Sequence, residues 1–164
     1  MESATQTSCL QCIERPDRLF CDLPVEAMQA FDALKSTTEC PRGTVLFREG
    51  SPCRCVYVLC EGRARLSVCS ESGDRLTLRI AGPGEILGLS ACLAGTPHEM
   101  NAELLDSTRV ALVKRHDLME FLHDHREACL QVVSLLSQDL HRAYDRVRSV
   151  GMARGRRSRS VRVH

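Results

Sequence analysis

The sequence predicts a mainly β domain, a roll or sandwich of short strands, flanked by helices and followed by one long helix. Three observations predict it. Apolar and polar residues alternate over short stretches between about Cys40 and Val113. Turn signals recur there at short intervals: Pro41-Arg42-Gly43, Glu49-Gly50, Glu61-Gly62, Ser72-Gly73-Asp74 and Gly82-Pro83-Gly84. Many short strands so spaced argue against a parallel α/β sheet. After Val113 the period changes from two to that of a helix.

The elements follow in order. Residues 1–22 form a polar segment carrying Cys9, Cys12 and Cys21. A short helix is predicted next, with Pro24 in its first turn and Met28, Phe31 and Leu34 on one face. Val56-Tyr57-Val58-Leu59 is an unbroken apolar run, as in a strand covered on both faces. Ala64, Leu66 and Val68 alternate against Arg63, Arg65 and Ser67, and Leu76, Leu78 and Ile80 are expected on a buried face. A second short helix covers His116 to His123. The last runs from Arg126 to Val150, with Gly151 as its stop. Its apolar residues Cys129, Val133, Leu136, Leu140, Ala143, Val147 and Val150 keep an a/d spacing, which predicts a dimer seam. The wider N-terminal half of this helix, with Leu130, Val132 and Leu135, is expected to pack on the roll as well. The organisation is thus 1–22 cysteine segment, 23–125 roll, 126–150 dimerisation helix and 151–164 disordered Arg-rich tail.

Composition narrows the function. The chain has 164 residues, 43% of them hydrophobic and 26% charged, which fits one ordinary globular domain. No apolar run reaches the roughly 18 residues of a membrane span, and Met1 to Leu10 lacks the pattern of a secretory signal. A cytoplasmic, non-membrane protein is expected. In that setting ten cysteines point to metal ligation, redox sensing or buried thiols rather than disulfides. No Ser/His/Asp or Cys/His arrangement with supporting context occurs, and no enzyme is expected.

Pro41-x-Gly43-Thr44-x-Leu46-Phe47-x-Glu49-Gly50, Val56-Tyr57-Val58-Leu59-x-x-Gly62 and Gly82-Pro83-Gly84-Glu85-x-x-Gly88 occur in that order. They resemble the cyclic-nucleotide-binding β-roll of the Crp/Fnr family of bacterial transcription regulators. The resemblance spans about residues 20–150 and implies a double-stranded β-helix (jelly roll) followed by a dimerisation helix. It implies an effector pocket at Gly84, Glu85, Gly88, Leu89 and Ser90. The family's winged helix-turn-helix would follow the long helix, but only 14 residues follow Val150. The sequence is therefore expected to lack the DNA reader, as a truncated or frame-shifted reading frame would, and to meet DNA only through a reader it does not carry.

Members that bind cyclic nucleotide place Glu after the Gly88-like glycine and an Arg-Ser pair on the next loop. Here Leu89 follows Gly88, and Ala94 to Glu99 has no Arg. A buried phosphate needs a charge-assisted partner, so cAMP is not expected to bind and the effector is an unknown small molecule. His98, Glu71, Asp74 and Glu85 are read as solvated.

Cys9-x-x-Cys12 followed by Cys21 resembles the iron–sulfur ligand segment of the Fnr branch. Two closely spaced thiolates can share one metal centre, and a third can fold back onto it. The interval from Cys12 to Cys21 is longer than in that branch, and Ala111 stands near the position of its fourth ligand. Cys60, at the end of a strand before Gly62, is the preferred fourth, with Cys53, Cys55 and Cys92 as substitutes. Cys40, Cys69, Cys92 and Cys129 are read chiefly as free or buried thiols. His123-Asp124-His125 sits at a helix junction, whereas a ligand pair of that spacing works best on a strand, so a cupin-like metalloenzyme is the remote alternative. The expectation is a homodimeric Crp/Fnr-type sensory domain. The alternative is a stand-alone dimerising protein that modulates full-length relatives.

Overall fold

The computed structural model describes Phe20 and residues 23–160, with side chains to Gly151. Cys9, Cys12 and Cys21 lie outside the described residues. The order is α1 (Val25–Leu34), β1 (Ser36–Cys40), β2 (Val45–Phe47), β3 (Cys55–Leu59), β4 (Ala64–Cys69), β5 (Arg75–Ala81), β6 (Ile86–Leu87), α2 (Leu89–Ala94), β7 (Asn101–Leu104), β8 (Thr108–Lys114), α3 (Arg115–Asp124) and α4 (Arg126–Ser160).

Two four-stranded antiparallel sheets, ordered β1-β8-β3-β6 and β2-β7-β4-β5, make the roll. The continuous apolar run becomes β3, which pairs with both β8 and β6. Phe47, Leu59, Leu66, Leu87, Leu104 and Val110 meet in one buried cluster. Phe20, Phe31 and Phe121 pack a second one, with ring centroids 4.9 to 5.6 Å apart, and tie α1 to α3.

Four expectations change. The first strand begins at Ser36 rather than Cys40, paired along β8 from Ser36↔Leu112. Leu76 and Ile80 are exposed, because β5 is an edge strand paired with β4 alone. The β4–β5 register shifts between Leu66 and Ser67, which turns the alternation over: Ser67 is buried and Val68 only partly so. Finally, α4 continues through Gly151 to Ser160, so residues 154–160 are helical rather than disordered. A helix-interior Gly costs only about 1 kcal/mol, which a helix this long can absorb.

The chain divides into two units, residues 1–129 and 130–164, a few residues beyond the expected boundary. The first contains the roll, α1 to α3 and the first turn of α4. The second is helical through Ser160. There Val133, Leu140, Tyr144, Val147 and Val150 are exposed, as is Ala143, while Leu136 is half-buried.

Candidate functional site

The expected effector residues gather where β6 turns into α2. Gly84 N–H donates to the Leu59 carbonyl at 2.7 Å, and Leu59 N–H to the Glu85 carbonyl at 3.0 Å, which fastens the turn to β3. Gly88 caps α2 with φ +84°, a conformation that favours glycine. Leu89 is buried and Ser90 exposed.

Glu85 is not a solvated turn residue. Arg79 Nη1 lies 2.6 Å from its Oε1, and the Gly82 N–H donates to its other oxygen. Glu71 and Asp74 are exposed, as expected.

His98 also departs from expectation. It is 5% exposed and stacks on Phe47, with centroids 4.0 Å apart and planes at 11°. Its backbone fixes the ring: N–H donates to the Ser51 carbonyl at 2.9 Å, and its carbonyl accepts from Gly50 N–H at 2.8 Å. A Cβ on Gly88 would lie 3.1 Å from the His98 ring. Burial lowers the imidazole pKa below 6.5, with Glu99 opposing, so the ring is neutral at pH 7. The two arginines of this corner are engaged. Arg79 meets Glu85, and Arg115 Nε donates to the Cys92 carbonyl at 2.7 Å.

The cysteines sort by neighbourhood. Cys60 follows β3, partly buried, with Sγ 3.9 Å from the Val58 carbonyl and N–H donating to the Arg109 carbonyl at 3.0 Å. Cys53 Sγ lies 3.6 Å from the Cys55 carbonyl and 3.8 Å from the Gly88 carbonyl, and burial raises the pKa of the Cys53 and Cys92 thiols. Cys69 and Cys129 are free thiols at exposed positions, and Cys40 is half-buried. Among the described residues no three His, Cys, Asp or Glu side chains form a group able to hold a metal ion.

The sequence missed the His98–Phe47 stack and the Arg79–Glu85 pair.

The sequence profile described as "Cyclic nucleotide-binding domain" matches residues 37–125. The CRP-like cAMP-activated global transcriptional regulator of Mycobacterium tuberculosis is 23% identical over 76% of this chain and 55% of its own length. The transcriptional activator protein Anr of Pseudomonas protegens is 26% identical over 85% of this chain and 57% of its own. The chain thus spans about half the length of the curated relatives it matches. The crystal structure of Thermus thermophilus catabolite activator protein has the same fold, with a TM-score of 0.75 at 22% identity, over 81% of this chain and 62% of that one. No helix among the described residues is long and apolar enough to cross a membrane.

Proposed function

This chain belongs to the cyclic nucleotide-binding domain family, and we propose that it is the sensory part of a Crp/Fnr-type transcription regulator that does not answer to cAMP. One observation carries the reading: the loop after α2 presents the buried, neutral, Phe47-stacked His98 and no arginine. An enclosed cyclic phosphate needs a charge-assisted, preferably bidentate donor. Arg79 is already held by Glu85, and Arg115 by a backbone carbonyl. Glu99, exposed on the same loop, would repel the phosphate. Titration calorimetry of the purified chain with cAMP should give no binding heat at micromolar nucleotide. A micromolar dissociation constant would overturn the reading.

In place of a nucleotide, the signal in this proposal is redox. Cys9, Cys12 and Cys21 would supply three thiolates to an iron–sulfur cluster, with Cys60 as the fourth ligand. Cys60 suits that place because it is partly exposed just after β3. A bound cluster would supply a centre that oxygen can oxidise. The four thiols would hold it and fasten the N-terminal segment to the roll. Anaerobic protein given iron and sulfide should show broad visible absorption that bleaches in air. Cys12→Ser should abolish it and Cys129→Ser should not, whereas colourless, iron-free anaerobic protein would remove this signal from the account.

The exposed stripe of α4 supports a homodimer, and it also favours a second reading, a dimerising partner of full-length relatives. Mixing with such a relative separates the two. Heterodimers that lose operator binding support the second reading, and exclusive self-association supports the first.

A further inference from the structure

Charge is spread unevenly along α4. Residues 126–150 carry four arginines, Arg126, Arg142, Arg146 and Arg148, against Glu127, Asp139 and Asp145. The next ten residues carry Arg154, Arg156, Arg157 and Arg159 and no acidic residue. The helix runs through all of them to Ser160. These ten residues hold +4 in a chain of net +1, which leaves −3 on all the rest. A helix dipole favours cations in the last turn alone, which accounts for Arg157 and Arg159 and not for Arg154 and Arg156. The register of the seam is a second, independent observation. Its alternating spacing of three and four runs through Leu140, Ala143, Val147 and Val150, and its next two positions are Arg154 and Arg157. The apolar stripe thus ends at Val150 and is continued by charge.

We propose that residues 151–160 of α4 form a DNA-binding arm. The proposal rests on the homodimer of the preceding section, taken with its two helices parallel. Like charges then meet at positions 154 and 157, so the pair is held together up to Val150 and forks beyond it. A coiled coil that forks into two continuous basic helices can straddle a duplex. Each arm of ten residues is about 15 Å long, and the pair brings eight arginines to one duplex. The contact is to the phosphate backbone and reads no sequence. It belongs to this chain itself and needs no separate reader domain.

Composition and geometry favour duplex DNA over other polyanions. A helix that lies on a membrane sets Trp, Phe or Leu into the lipid, whereas residues 151–160 hold one large apolar residue, Met152. The major groove of B-form DNA, about 12 Å wide, admits a helix. That of duplex RNA is too deep and narrow for side chains to enter. The net negative charge of the remaining residues confines the attraction to the arms.

The test titrates the full chain onto a short fluorescein-labelled DNA duplex of mixed sequence, read by anisotropy between about 50 and 200 mM salt. Light scattering on the same samples reports the oligomeric state. Eight neutralised phosphates should give a log–log salt slope of about −7. The combined variant Arg154→Gln, Arg156→Gln, Arg157→Gln and Arg159→Gln should lose the binding and remain a dimer. A dimeric wild type that does not bind at the lowest salt overturns the arm and leaves the dimer standing. A monomeric wild type overturns the dimer, and the fork with it. A slope of about −3.5, as four phosphates would give, shows that the arms do not act on one duplex and overturns the fork. Undiminished binding by the Gln variant, or a preference for phosphatidylglycerol vesicles or for duplex RNA of the same length, also overturns the proposal.

Discussion

In the roll, Val56, Leu59, Leu104 and Val110 are each at most 1% exposed, whereas along α4 Val133, Leu140, Val147 and Val150 are 52% to 71% exposed. The two regions have comparable apolar residues and opposite fates for them. Each sheet of the roll has a second sheet to face, so one chain completes that core. The exposed part of α4 carries a seam with the a/d period, which a single helix cannot bury by itself. Burial is worth about 1.5–3 kcal/mol per large side chain, so the seam is a strong inducement to association. The comparison teaches that one chain completes the core of the roll and leaves the a/d stripe of α4 exposed, the surface that the proposed dimer would cover.

The sharpest way to break this contrast is to charge the seam. Leu136→Asp with Leu140→Asp would place like charges against each other across a two-fold axis. Light scattering should then report a monomer, with the thermal unfolding of the roll nearly unchanged. Unchanged association would show that the helix stripe is not the contact.

The same kind of change in the roll should have the reverse outcome. Leu104→Ala removes a buried side chain between the sheets and should cost about 2–5 kcal/mol in denaturant unfolding, without changing the oligomeric state. A loss under about 1 kcal/mol would mean that the sheets close over the gap and the core is less specified than its burial suggests.

How much of this was legible in the sequence follows from where each residue finds its neighbours. The run Val56–Leu59 and the heptads of α4 announce themselves because strand and helix periods are local properties. The exposure of Leu76 and Ile80 was hidden because strand order, not alternation, makes β5 an edge. The glycines marked the turn between β6 and α2, but not the side-chain chemistry around it. His98 read as a loop residue because the stack on Phe47 joins two segments far apart in the chain. The expected stop at Gly151 failed because a glycine inside a helix costs only about 1 kcal/mol, and the helix runs on through Gly151 and Gly155.

A smaller effect sharpens the view of the roll interior. Burial keeps the His98 pKa below its ordinary 6.5. As pH falls through 6.5 the unfolded chain takes up this proton before the folded one does. The stability that neutral His98 secures is therefore full above pH 6.5 and lost between there and the lower folded value. His98→Phe keeps an aromatic ring against Phe47 and removes the titration. Its unfolding free energy should fall less than wild type between pH 7 and pH 5. Parallel pH profiles would place His98 in a solvated setting after all.

The most direct test of a self-sufficient roll and a helix that needs a partner is amide hydrogen exchange on the wild-type chain across a dilution series. The account predicts that protection of residues 133–150 falls on dilution while that of β3, β4 and β8 stays constant. Protection of the helix that is independent of concentration would contradict it.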